Sequence, residues 1–127
     1  MNLVKFFLDV NYGDYSFKNA SNIEMCILGG FLTSDFGCSY PSAFKEWVFT
    51  DNWGDECSGN CTALEKDGNY IVLKDLYSEE DVPTELRILK HKFVELLDNW
   101  REKICKLKVK EVIIIHQNDE FFIETKD

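Results

Sequence analysis

The sequence predicts a single α+β domain over residues 1–127, in which a mainly antiparallel sheet carries one long amphipathic helix on one face. Apolar side chains recur every three or four residues over about 84–108, which is the spacing of one helix face. Segments 61–77 and 111–125 each place strand-forming residues on both sides of a polar turn, as β-hairpins do. A helix with one apolar face has to cover another element, and hairpins formed by neighbouring segments favour antiparallel pairing.

The first half of the chain predicts less regular structure. Residues 3–10 predict a strand, because they are rich in Phe, Val and Leu and end at a turn-like Asn-Tyr-Gly-Asp. Residues 23–32 predict a second strand, in which Gly29 and Gly30 indicate a bulge or a close backbone approach. Residues 42–49 fit either a short helix or a short strand, and 51–60 predict a loop dense in Asp, Asn and Gly.

The second half is clearer. The first hairpin turns at Asp67-Gly68-Asn69, and the last one joins 111–116 to 120–125. Between them lies the long helix, whose lysines near its end complement the helix dipole. Its apolar face is formed by Leu86, Leu89, Phe93, Leu96, Leu97, Trp100, Ile104 and Leu107.

Net charge limits the classes of partner. The chain carries a charge of −9, whereas nucleic acid and anionic membranes attract clustered Lys and Arg. Residues 35–81 contain eleven acidic and three basic side chains, so the acidity is concentrated in the middle of the chain. This distribution predicts no nucleic-acid partner and no membrane partner, and it favours a basic protein, since opposite charges raise association rates.

The five cysteines do not form a recognisable framework. Their odd number, and a start without a continuous apolar signal region, predict a cytoplasmic protein with free thiols. Cys57 and Cys61 are the one closely spaced pair; a zinc site would need Cys38, His91 and His116 to complete it by folding, so no metal and no cofactor are predicted. No catalytic motif surrounds any cysteine, and a solvated loop is the simpler interpretation of the carboxylates.

Segment 35–56 is the candidate binding site because it interleaves aromatic and acidic residues. Aromatic rings are enriched at interface hot spots, and surrounding carboxylates can pair with Arg or Lys. The alternative is that the rings fill the core and the acids face water. The residues predicted to bind a partner are Asp35, Tyr40, Glu46, Trp47, Asp51, Trp53, Asp55 and Glu56.

The overall plan resembles the small immunity proteins of bacterial contact-dependent and polymorphic toxin systems. The resemblance covers the whole chain as a design: a short acidic chain, an aromatic–acidic middle segment, and a late helix followed by a hairpin. The stretch 93–100, FVELLDNW, and the ending from EVIII to FFI look like such proteins. The resemblance implies a non-enzymatic function: binding the C-terminal toxin domain of a cognate effector, often a basic nuclease, and blocking it.

Two other classes of function remain open. A small enzyme would assemble a cysteine or carboxylate site in a concave pocket. An oligomeric adaptor subunit would expose a self-complementary apolar patch. A binding protein of the immunity type would instead expose an aromatic–acidic surface. Which acidic cluster forms the interface is also open, since Glu79-Glu80-Asp81 is a second candidate.

Overall fold

The protein is an α+β domain with two antiparallel sheets and a layer of helices between them. The computed structural model describes residues 2–38, 43–50, 54–59, 61–78, 81 and 84–127. The predicted fold class is confirmed, but the helices contact the inner faces of two sheets rather than one face of a single sheet.

Sheet A joins the two ends of the described chain. It contains four strands in the order β2-β1-β7-β8: β1 is Asn2–Leu8, β2 is Tyr15–Lys18, β7 is Glu111–Gln117 and β8 is Glu120–Lys126. The predicted strand at 3–10 and the final hairpin are confirmed. The short strand β2 was not predicted, because its four residues follow a turn and precede another polar stretch.

Sheet B is a meander of four consecutive strands. It contains β3 at Glu56–Ser58, β4 at Thr62–Asp67, β5 at Tyr70–Asp75 and β6 at Glu85–Leu89. The predicted hairpin is β4–β5, which turns at Gly68 with a positive φ of 59°. Strand β3 lies inside the segment predicted as a loop, so that part of the prediction is wrong.

Three helices complete the described part of the fold. Helix α1 is Ile23–Gly30 and continues as a π-helix over Phe31–Phe36; α2 is Ala43–Phe49. Helix α3 is Lys90–Asn99 and continues as a π-helix over Trp100–Cys105. Both π segments end with a backbone N–H bonded to the carbonyl five residues earlier, from Gly37 to Leu32 and from Lys106 to Arg101.

The predicted strand at 23–32 is wrong because this segment is helix α1. The helix contacts both sheets, so it is apolar on several sides and shows no single polar face. A short, continuously apolar run cannot be assigned to strand or helix by its periodicity. Gly29 permits the close approach of α1 to β2, since a Cβ there would lie 2.5 Å from the Phe17 ring.

The predicted helix at 84–108 begins too early. Glu85–Leu89 is strand β6, and its Leu86 and Ile88 face the same side as Leu73 and Ile71 of β5. The alternation of apolar and charged residues in this stretch satisfies a strand period as well as a helix period. The helical part is confirmed from Lys90 to Cys105, whereas Leu107, predicted on its apolar face, lies beyond the helix and is exposed.

Trp100 is the centre of the core beneath sheet A. Its ring is fully buried and meets Phe6 edge-on at 4.7 Å and Tyr15 at 5.4 Å between centroids. The Tyr15 hydroxyl lies within hydrogen-bond distance of the carbonyl of Ile104, in the π segment that continues α3, and of Val109, which follows it. Sheet A is thereby fixed to the end of α3 by rings and by a buried hydroxyl.

The prediction of five free thiols is wrong. Cys38 and Cys105 form a disulfide with a Cα–Cα distance of 5.4 Å, whereas Cys26, Cys57 and Cys61 are free. The bonded residues follow or end the two π segments, which the fold brings together across 67 residues of sequence. The spacing of the cysteines along the sequence could not indicate this disulfide, because the pairing depends on where the ends of two distant helices lie in the fold.

Candidate functional site

The predicted binding residues divide into three groups in the structure. Asp35 and Trp47 are built into the domain, whereas Glu46, Asp55 and Glu56 are exposed. Tyr40, Asp51 and Trp53 lie outside the described residues.

Trp47 is a core residue, which corrects its assignment to a binding surface. It lies on α2, is 1% exposed, and donates a hydrogen bond from Nε1 to the Gly54 carbonyl at 3.1 Å. The Lys66 ammonium lies 5.0 Å from the ring centroid, within the range of a cation–π contact. The ring therefore holds α2 against β4, and a partner cannot reach it in this structure.

Asp35 is a structural carboxylate rather than a surface anion. Its Oδ1 accepts a hydrogen bond from the Cys61 backbone N–H at 3.0 Å and lies 3.4 Å from the Cys61 Sγ. Gly59 packs so closely on the carboxyl group that a Cβ there would lie 2.5 Å from its carbon. Asp35 thus fixes the connection between β3 and β4 from the π segment that follows α1.

Two of the three exposed acids, Asp55 and Glu56, lie at the β3 edge of sheet B, whereas Glu46 is on α2. Asp55 precedes β3, and its carbonyl accepts a hydrogen bond from the Lys66 N–H at 2.8 Å. Glu56 begins β3 and lies directly opposite Glu65 of β4 in the register. Like charges placed directly opposite each other on two strands are unfavourable, so this pair requires a compensating cation.

A hollow of about 450 Å³ opens at this edge, and we call it the β3–β4 hollow. The side chains that define it are Glu56, Ser58, Ala63, Glu65 and Lys74. Ala63 lies opposite Ser58 in the register, so two small side chains leave space between the carboxylates.

Lys74 neutralises one of the two opposed carboxylates. Its ammonium lies 3.3 Å from Glu65 and 3.3 Å from Glu85, and hydrogen bonds to these two carboxylates raise the pKa of Lys74. Glu56 has no ion-pair partner among the residues that the structure describes. The hollow therefore retains a solvent-exposed carboxylate beside a neutralised one.

Sequence reasoning missed Ala63, Glu65 and Lys74. The alternation of side chains in the predicted hairpin does place Ala63 and Glu65 on one face, and that signal was available. No signal in the sequence indicated that β3 pairs with β4, because residues 51–60 were predicted only as a loop.

Phe49 is an exposed ring near the same edge. It is 66% exposed at the end of α2, and the next residue, Thr50, accepts a hydrogen bond from the Lys66 ammonium at 2.7 Å. The Asp55 carbonyl accepts a hydrogen bond from the backbone N–H of the same lysine, so Thr50 and Asp55 both contact Lys66.

The free thiols near the hollow are poorly suited to nucleophilic catalysis. Burial raises the pKa of Cys57 to about 11, although the charge of Lys66 opposes the shift. Burial also raises the pKa of Cys61. A reactive cysteine needs a lowered pKa, so both thiols are protonated at neutral pH and lack that property. Across the described part of the chain, no hydrogen bond joins a histidine to a cysteine.

A second cavity, of about 330 Å³, lies between α1 and the two sheets. Cys26, Ser34, Cys61 and Asp75 border it together with apolar side chains of α1 and β2. Within the described ranges, no group of three or more His, Cys, Asp or Glu residues is placed to hold a metal ion.

Two further findings concern membrane-spanning helices and similarity to known proteins. None of the described helices has the length and apolar character needed to cross a bilayer. No protein-family model, curated protein or solved structure matches the sequence or the fold.

Proposed function

We propose that the chain is an immunity-type binding protein that neutralises a cognate, basic bacterial toxin domain by direct contact. The β3–β4 hollow is the proposed contact. One observation supports this choice above the others: Glu56 and Glu65 face each other across two strands, and Lys74 neutralises only Glu65.

A basic side chain from a partner would complete this arrangement. An arginine fork can bond to a carboxylate in a bidentate manner, and the small side chains of Ser58 and Ala63 leave space for its stem. Binding of this basic side chain would remove the like-charge repulsion between Glu56 and Glu65. The resulting gain in free energy is therefore present only in the complex. A partner that bears phosphate would instead bring a further negative charge beside Glu56 and would be repelled.

The surroundings of the hollow extend the proposed surface. Asp55 adds a second exposed carboxylate, and Phe49 adds an apolar ring. Rings of this kind act as anchors in desolvated contacts, whereas charges at the rim mainly accelerate the encounter. We therefore assign Phe49 to holding the complex and Asp55 and Glu56 to its formation.

A cytoplasmic location remains part of the proposal, and the disulfide is an observation against it. Disulfides persist in oxidising compartments and are rare in the cytosol. Alkylation of the protein in intact cells, followed by denaturation without reductant, measures the state of Cys38 and Cys105. Five alkylated cysteines would support the cytoplasm, and three would place the chain in an oxidising compartment.

The test of the proposed function begins with capture of the partner. Affinity-tagged chain is recovered from its source cells, the captured protein is identified, and each is expressed with and without the other in a sensitive host. The expected partner is basic and toxic alone, and co-expression of the chain restores growth. Recovery of a harmless acidic partner would contradict the proposal.

The contact surface is tested with purified partner by surface plasmon resonance. Glu56→Gln and Asp55→Asn should lower the association rate and flatten its dependence on salt, because they remove steering charge. Phe49→Ala should raise the dissociation rate. Asp14→Asn is the matched control, since it removes one exposed charge just before β2, away from sheet B. Equal rates for Glu56→Gln, Asp55→Asn and Asp14→Asn would exclude the β3–β4 hollow.

A further inference from the structure

We propose that the outer face of sheet A is a docking surface for a second copy of this chain. We call this surface the A face, and it comprises Leu3, Lys5, Phe7, Ile113, Ile115 and Phe122. It goes beyond the proposed function, because it lies on the other sheet from the β3–β4 hollow.

The strand register places the A-face residues on one side of the sheet. Leu3 is opposite Ile115, and Ile115 is opposite Phe122, so an apolar row crosses β1, β7 and β8. Their sequence neighbours, such as Val4 and Ile114, are fully buried and face the helices. The A-face side chains are instead partly exposed, and Phe122 is 54% exposed.

The helices lie on the opposite side of sheet A. Trp100 packs against Phe6 and Tyr15, which alternate with the A-face residues along β1 and β2. Three neighbouring apolar side chains on one open sheet face form a patch of the kind that marks interaction sites.

The charges of the A face favour a copy of the same chain over a basic partner. The row next to the apolar one reads Lys18, Lys5, Ile113, Glu124 across β2-β1-β7-β8. Cations thus lie at one side of the sheet and a carboxylate at the other, whereas the whole chain carries −9. The neighbouring row adds Glu111 on β7 and Lys126 on β8, so the face carries both signs, as a surface that binds its own copy requires.

A twofold axis parallel to the strands makes this row complementary to itself. Such an axis through the middle of the sheet places β8 of one copy over β2 of the other and β7 over β1, because it reverses the order of the strands. Lys18 of each copy then faces Glu124 of its partner, Lys5 faces Ile113, and the apolar rows meet. The symmetry doubles each favourable pair without requiring any new residue.

The size of the A face sets the strength of the dimer. Four strands about 4.8 Å apart and up to about 24 Å long cover roughly 450 Å² in plan. Standard interfaces bury about 800 Å² of accessible surface per partner, so this contact is at the small end. The charge of −9 on each copy opposes association over longer distances, although salt screens it. We therefore expect a reversible dimer that forms at micromolar or higher concentrations.

Sedimentation velocity from about 1 to 500 μM in 0.15 M salt tests the dimer. The native chain should shift from monomer to dimer as its concentration rises. Phe122→Asp should raise the dissociation constant at least tenfold, because it places a charge in the apolar row. Leu107→Asp is the matched control: Leu107 is 68% exposed at the end of α3, away from the A face, and should leave the constant unchanged.

Charge exchange distinguishes this geometry from any other contact. Lys18→Glu alone and Glu124→Lys alone should each weaken the dimer, whereas the double variant should restore it, since the pair is reformed with reversed signs. Both residues are on the surface, so these variants keep the test valid even if Phe122→Asp disturbs the fold. A native chain that stays monomeric at 500 μM overturns the proposal, and so does a dimer that withstands Phe122→Asp or a double variant weaker than both singles.

Discussion

The two sheets have the same number of strands and the same antiparallel pairing, yet their outer faces differ. Sheet A presents Leu3, Ile115 and Phe122 in one open row. Sheet B also has an apolar residue at the centre of its outer face, Val72, but that side chain is fully buried. Glu65 and Arg87 lie directly opposite Val72 on the two neighbouring strands.

The difference shows that cross-strand neighbours decide whether an apolar residue on a sheet face is open. Long charged side chains cover apolar surface with their stems and keep their charges in water. Around Val72, Lys74 and Arg87 are held by ion pairs to Glu65, Glu85 and Asp67, which keeps the cover in place. The cross-strand neighbours of Ile115 on sheet A are instead Leu3 and Phe122, which are apolar and carry no charged end.

The largest expected effect is a loss of stability when the core beneath sheet A is truncated. Trp100→Ala should lower the free energy of unfolding by roughly 3–5 kcal/mol, because a fully buried ring leaves a cavity. Urea denaturation followed by circular dichroism measures it. Trp100→Phe is the control and should cost less, since Nε1 of Trp100 has no hydrogen-bond partner among the described residues and a smaller ring keeps part of the packing. A loss within error for Trp100→Ala would mean that sheet A does not depend on α3.

The disulfide tests whether the two sheets unfold as one unit. It closes a loop of 67 residues that contains all of sheet B, and the chain-entropy model assigns such a loop about 4 kcal/mol. Cys38→Ser with Cys105→Ser should therefore lower the stability by roughly 2–4 kcal/mol while keeping one transition. Cys26→Ser, which changes a free exposed thiol, is the control. Two separate transitions in the oxidised protein would break the single-domain interpretation.

A matched pair of substitutions sharpens the comparison of the outer faces. Val72→Ala should cost about 2 kcal/mol, because two buried carbons are lost beneath the charged cover. Phe122→Ala removes a larger side chain but should cost less than about 1 kcal/mol in dilute, monomeric protein, since half of the ring already faces water. Chemical denaturation at low micromolar concentration measures both. If Phe122→Ala costs more, then sheet A is covered rather than open.

The smallest effect is a dependence of stability on pH that comes from sheet A. Burial lowers the pKa of His116, whose ring stacks on Phe121 at 4.4 Å between centroids. In the unfolded chain the pKa of histidine is about 6.5, so below that pH the unfolded state binds more protons. His116 should therefore leave stability unaffected above about pH 6.5 and lower it as the pH falls toward the folded-state pKa.

Denaturant titrations between pH 5 and 8 measure this slope. His116→Gln should flatten it, whereas His91→Gln, at an exposed position on α3, should keep it. A slope that survives His116→Gln would assign the pH dependence to another group.

The sequence predicted the parts of the fold in which periodicity and turn chemistry agree. Both hairpins were found because strand-forming residues flank turns with glycine or asparagine, and α3 was found from its apolar spacing. Helix α1 was missed because burial against two sheets removes the polar face that identifies a helix. The start of α3 was misplaced because alternating residues in 85–89 serve a strand equally well.

The candidate site was predictable only in part. The exposure of Asp55 and Glu56 agrees with their position in a polar stretch, but composition could not separate them from Trp47, which folding buries. The opposition of Glu56 and Glu65 depends on the register between β3 and β4, and no local signal specifies that register. Long-range pairing was therefore the missing information, for the site as for the disulfide.

The position of β1 at the centre of sheet A has a consequence for the synthesis of the protein on the ribosome. Lys5 pairs with Ile113, so β1 has to wait for about a hundred further residues before its second neighbour exists. At the usual translation rate of 5–20 residues per second this delay lasts on the order of 5–20 s. During it, Val4 and Phe6 of β1 have no β7 strand beside them. Sheet B, by contrast, forms from consecutive strands and can assemble as it emerges. A nascent chain stalled before β7 would thus contain a complete sheet B and a β1–β2 hairpin that lacks its β7 neighbour. Unpaired strand edges of this kind are aggregation-prone, which is why such chains need chaperones.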